Sequence, residues 1–149
     1  MYPKPREGAA RRSRRSTLTV LSLVAGLGAG PAWADIQVHV MNCTSQTIQA
    51  QAYDSKDSVK LLPASATSFS HSGDSGSLHC AGEGKGYCQM SLSVLNPPAE
   101  CNTKEVDFHL DSGKWAVVTN FLKQKNSNGD TTCSLVVEQN LDSAPTSCN

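Results

Sequence analysis

Apolar side chains recur at every second position through much of this chain, and that period limits what it can fold into. Ile36, Val38 and Val40 alternate with Gln37, His39 and Met41, and Ile48, Ala50 and Ala52 with Gln49, Gln51 and Tyr53. Met90, Leu92 and Val94 alternate with Gln89, Ser91 and Ser93, and Val106, Phe108 and Leu110 with Asp107, His109 and Asp111. Successive side chains of a strand leave opposite faces, so each run buries one face and wets the other. Residues 115–122 are apolar on both phases and predict a central strand; 131–139 predict a last one, with Cys133 in phase with Leu135 and Val137. Shorter strands are expected near 59–62, 68–71 and 77–80.

Turn chemistry separates these runs. Residues 42–45, 96–98, 111–113 and 126–130 are rich in Asn, Asp, Gly, Ser and Pro, and 126–130 reads as a hairpin loop between two strands. No stretch has helical spacing. About eight or nine short strands without helices predict an all-β domain, a small antiparallel β-sandwich, with a closed β-barrel as the alternative.

Such a sandwich has little oil to work with. From Asp35 on, the aromatic residues are Tyr53, Phe69, Tyr87, Phe108, Trp115 and Phe121. Small domains with thin cores need covalent staples. Cys43, Cys80, Cys88, Cys101, Cys133 and Cys148 are an even set, expected to form three disulfides among fifteen conceivable pairings. Cys80 with Cys88 is the favoured pair, closing the loop 81–87. Cys148, next to the chain end, is expected to pair with Cys133 or Cys43, and Cys101 with whichever cysteine remains.

Disulfides require an oxidising compartment, and the chain begins with a route to one. Arg11, Arg12, Arg14 and Arg15 precede a short apolar run over 18–27, and Ala32-Trp33-Ala34 supplies a small-x-small cleavage site. These are the parts of a signal peptide over 1–34, with a single exported domain over 35–149. The run is shorter than the roughly 20 apolar residues of a permanent span, and Gly26, Gly28, Gly30 and Pro31 interrupt it, so no stable membrane anchor is expected. Ser13-Arg14-Arg15-Ser16-Thr17-Leu18 resembles a twin-arginine export pattern, with Thr17 where a large apolar residue is usual; a basic region for the general pathway is the other reading. The expected location is periplasmic or secreted.

Cleavage there removes every arginine and leaves seven lysines against twelve acidic residues. Nucleic-acid and phosphate recognition lean on arginine forks and positive patches, so nucleic acid is not an expected partner. The same acidity disfavours an anionic lipid surface.

Few constellations could carry chemistry. Gly73-Asp74-Ser75-Gly76 resembles the serine neighbourhood of trypsin-like proteases for four residues, but Ser77 stands where another glycine belongs and no histidine has a matching context. It reads as a polar loop. His71 and His79, with Asp54, Asp57 or Asp74, could assemble a metal or hydrolytic site, although the spacing matches no standard zinc motif. His39 and His109 fall on the polar phase of their strands and read as exposed. Gly82-Glu83-Gly84-Lys85-Gly86 lacks the spacing of a phosphate loop. It reads instead as a finger between Cys80 and Cys88, presenting Glu83, Lys85 and Tyr87 for recognition. Asn42-Cys43-Thr44 is a glycosylation sequon.

The function expected from these features is that of a non-enzymatic interaction module that recognises another protein or a cell-envelope component through its loops, without a cofactor. The alternative is a small metal-binding protein or hydrolase built on His71, His79 and acidic loop residues.

Overall fold

The computed structural model describes residues 35–53, 55–66, 71–81 and 84–148. The predicted signal peptide, Asp54 and Glu83 lie outside the described residues.

The alternating runs become strands, in the order β1 (Ile36–Asn42), β2 (Thr47–Ala52), β3 (Ser58–Leu61), β4 (Ser65–Ala66), β5 (His71–Ser72), β6 (Asp74–Cys80), β7 (Tyr87–Leu95), β8 (Cys101–Thr103), β9 (Val106–Asp111), β10 (Trp115–Lys125) and β11 (Thr131–Leu141). Nine of them form two sheets, ordered β6-β1-β10-β11-β8 and β3-β2-β7-β9, while β4 and β5 pair with each other. The sheets share no ladder, so the architecture is a two-layer sandwich and not a closed barrel. β10 is central in its sheet, as its two apolar phases predict.

The sandwich is not wholly antiparallel: β1 runs parallel to β10, and β11 parallel to β8. Hairpins impose antiparallel pairing only on strands that follow each other closely, as β10 and β11 do. Strands β1 and β10 meet after the chain has crossed to the other sheet and back three times, so no tight turn fixes their direction.

The core is the sum of the inward phases. Ile36, Val38, Val40, Leu78, Ala116, Val118 and Leu135 from the five-stranded sheet face Ile48, Ala50, Leu61, Met90, Leu92, Phe108 and Leu110 from the four-stranded one. Leu78 and Leu110 have no exposure at all, so truncating either to Ala is expected to cost about 2–5 kcal/mol. At the layer edge β6 comes so close to β3 that a Cβ on Gly76 would sit 2.7 Å from Val59 Cγ2. A side chain there has no room. Gly73-Asp74-Ser75-Gly76 is therefore the entry to a closely packed strand and not the polar loop expected. Asp74 Oδ2 accepts the Leu62 N–H at 2.6 Å.

Three disulfides staple this core: Cys43–Cys148, Cys80–Cys88 and Cys101–Cys133. Cys80 and Cys88 are both fully buried and link the end of β6 to the start of β7, tying one sheet to the other. Cys101–Cys133 clamps the short edge strand β8 to β11. Cys43–Cys148 pins the C-terminal tail against the outer side of the five-stranded sheet. Met41 and Val117 are on the outward phase, yet only 6% and 2% exposed. Pro145, Ser147 and Cys148 lie over Val117, lining a 180 Å³ pocket with Thr119 and Glu138. This cover explains why β10 is apolar on both faces.

Candidate functional site

The outer face of the four-stranded sheet carries two aromatic groupings. Tyr87 opens β7 at the root of the predicted finger, and its ring stacks on His109 of β9, centroids 4.6 Å apart and planes 29° from parallel. Register explains the contact: Gln89 is opposite His109 and Tyr87 opposite Asp111, so Tyr87 and His109 are diagonal neighbours on one face. The finger is tied down where the Ser112 N–H donates to the Gly86 carbonyl at 3.3 Å. Lys85 stands exposed at its tip.

Tyr53 follows β2 and is held at both ends. Its N–H donates to the Gln89 carbonyl at 3.0 Å, and its hydroxyl donates to Asp107 Oδ1 at 3.0 Å. The ring thereby reaches from β2 to β9 across Ser91, which is buried although it lies on the outward phase. The Asp107 carboxylate, accepting the phenolic proton, holds the Tyr53 pKa above its ordinary value. With 45% of its surface exposed, Tyr53 is an open aromatic fixed in one pose. Gln89 sits between the two groupings, bonded through its carbonyl to Tyr53 and opposite His109 in the ladder.

The five-stranded sheet has a smaller patch of its own. His39 stacks on Trp115 with centroids 4.7 Å apart and shares a 2.8 Å hydrogen bond with the Ser77 hydroxyl. All three residues share one cross-strand row.

The residues of the metal reading are placed differently. Asp57 Oδ2 accepts the backbone N–H of His79 at 2.9 Å, and the Ser55 hydroxyl donates to the His79 carbonyl, so the 55–57 turn is latched to the end of β6. The His79 ring meets Asp35 at 3.0 Å in a solvent-exposed pair. Asp74 is at the other end of β6, five residues and about 17 Å from His79 at strand rise, and on the opposite phase. The backbone of His71 pairs with Ala66 in the small ribbon. Among the described residues no group of three His, Cys, Asp or Glu side chains is gathered for a metal ion.

The sequon is also a structural device. Asn42 is fully buried, and its amide makes four hydrogen bonds: Nδ2 donates to the carbonyls of Gln46 (2.7 Å) and Leu62 (2.8 Å), and Oδ1 accepts the Thr44 N–H (2.9 Å) and hydroxyl (2.8 Å). That is the full capacity of the group. Asn42 folds the chain out of β1 and is closed to a glycan in the folded protein.

The sequence singles out Tyr87 as part of the loop between Cys80 and Cys88, but gives no local sign of the Tyr53 arrangement, because its partner Asp107 lies 54 residues away. No family of known proteins matches this chain, and no curated protein matches its sequence.

Proposed function

We propose that the domain from Asp35 on is an exported, non-enzymatic binding module that recognises another protein or a cell-envelope component through the outer face of its four-stranded sheet and the adjoining finger. The observation that carries this reading is Tyr53, exposed yet anchored by two hydrogen bonds, beside the stacked Tyr87–His109 pair. Rigid, amphipathic aromatics bind at low entropic cost, because little motion is lost when a partner covers them. Asp107 and Asp111 flank the rings and give the face an acidic rim, which suits a partner with donor or cationic groups. Three disulfides fit an oxidising location outside the cytoplasm. The alternative, a metal or hydrolytic centre at His71 and His79, is less well served, because Asp57 and Asp74 each commit a carboxylate oxygen to a backbone N–H.

The test is affinity capture from an envelope extract with the oxidised, tagged protein, run beside a Tyr53→Ala, Tyr87→Ala double variant of unchanged circular dichroism. One stoichiometric partner retained by the parent and lost by the variant is expected. Equal capture by both would remove this face from the function.

A further inference from the structure

A second surface lies on the other sheet. Strands β1 and β10 run side by side for only four residue pairs, from His39 with Trp115 to Asn42 with Val118. One further bond, the Cys43 N–H to the Val118 carbonyl at 2.9 Å, ends their contact. There the Asn42 turn carries the chain away to β2. β10 continues for seven more residues, 119–125, paired on one side with β11 up to Lys125 opposite Thr131. No described strand pairs with its other side. The lane that β1 leaves is a cleft of about 530 Å³, lined by residues 43–46 and 119–123.

The backbone groups facing this lane can be identified. The Phe121 N–H donates to Asn120 Oδ1 at 2.8 Å, so it is not part of the ladder with β11. The Asn126 N–H, five residues on, donates to the Asp130 carbonyl where the hairpin closes. Residues of a strand alternate in the side to which they aim both backbone groups. Phe121, Lys123 and Lys125 therefore face the lane, and Asn120, Leu122 and Gln124 face β11. The irregularity in register between Val118 and Asn120 makes the switch, since Val118 still faces β1.

We infer that this lane is a strand-addition site that takes an extended segment of a partner protein, with an apolar side chain on each face, as an extra strand beside residues 121–125. A row of backbone donors and acceptors at strand spacing is complementary to another extended backbone. Leu122, 38% exposed, stands on one face of the lane edge, and half-buried Phe121 on the other, at the rim of the core. An apolar side chain of the incoming strand would pack beside each. A second copy of this chain is a poorer occupant, because antiparallel pairing of two 121–125 edges sets the Lys123 side chains of the two copies directly opposite each other. The site is independent of the Tyr53 face.

The probe is an N-acetylated, C-amidated heptapeptide of threonine with valine at its third and fourth positions, one on each face, titrated into the oxidised full-length protein and followed by backbone NMR and amide hydrogen exchange. Shifts confined to 43–46 and 119–125, with exchange at Lys123 and Lys125 slowed at least tenfold, are expected. Lys123→Pro removes a lane-facing N–H without touching the β11 ladder and should weaken binding at least tenfold. Lys123→Ala, which loses only the bond from Lys123 to Glu100, should bind like the parent. Asn120→Ala frees the Phe121 N–H and should bind several-fold tighter, whereas Tyr53→Ala should change nothing. No protection at millimolar peptide, or equal binding by Lys123→Pro and Lys123→Ala, would overturn the inference. So would a concentration-dependent dimer lost in Lys123→Pro, which would make the lane a contact between copies.

Discussion

The side chain of Asn140 takes the place of a strand for Asp111: its Oδ1 accepts the Asp111 N–H at 2.9 Å, reaching from β11 of one sheet to β9 of the other. Its Nδ2 also lies 3.4 Å from the His109 carbonyl. Asn140 has a φ of 55°, a left-handed conformation that Asn tolerates better than most residues. Two variants should separate these roles. Asn140→Gly relieves the backbone but loses the bridge, and is expected to cost about 1 kcal/mol in urea unfolding of the oxidised protein. Asn140→Ala loses the bridge and keeps the strain, so it should cost about 1 kcal/mol more.

Asn42 is the most committed polar group of the core. Asn42→Ala would leave two carbonyls and the Thr44 N–H without the partner they have now. A loss of about 2–4 kcal/mol is expected from chemical denaturation. Folded protein secreted from a glycosylating host should have the mass of the unmodified Asn42 peptide. A glycan found there on protein with native disulfides would contradict the buried geometry.

Tyr53 gives a pH signature. The neutral phenol donates to Asp107, and the phenolate would instead face its negative charge. The bond therefore adds stability below the ordinary tyrosine pKa, and that contribution disappears as pH climbs through the raised value in the folded protein. Absorbance at 295 nm should show one tyrosine titrating late, and Asp107→Asn should return its midpoint toward the ordinary value.

The three bridges should differ in worth and in access. Cys43–Cys148 closes 105 residues and Cys80–Cys88 only 8. Chain entropy then predicts a cost of about 4–5 kcal/mol for Cys43→Ala with Cys148→Ala, against about 2–3 for Cys80→Ala with Cys88→Ala. Cys43 and Cys148 are half-buried, whereas Cys80, Cys88 and Cys133 have no exposure. Limited reduction followed by alkylation and peptide mapping should label Cys43 and Cys148 first.

What the sequence made legible is what local rules control. Alternation marked the inner faces of β1, β2, β7 and β9, because one-sided burial imposes a period of two. The turn 126–130 marked the β10–β11 hairpin, where Asn126 Oδ1 gathers the N–H groups of Asn128 and Asp130. Short spacing marked Cys80 and Cys88. Strands β4 and β8 have two and three residues, too few to show a period. The parallel meeting of β1 with β10 depends on contacts between distant segments, and so does the Tyr53–Asp107 bond. Asn42 could be read only as a sequon, since a buried Asn turning the chain and an exposed one awaiting a sugar are written with the same letters.

The tail that lies over Val117 also sets how the domain would bear load. Because Cys148 is bonded to Cys43, a pull on anything fused beyond residue 148 is delivered to the turn after β1 and not to the end of β11. The hairpin cannot be unzipped from its carboxyl end while that bond holds. Tension instead runs along the middle of the five-stranded sheet, where β1 is hydrogen-bonded on both sides and strands must slide past one another before they part.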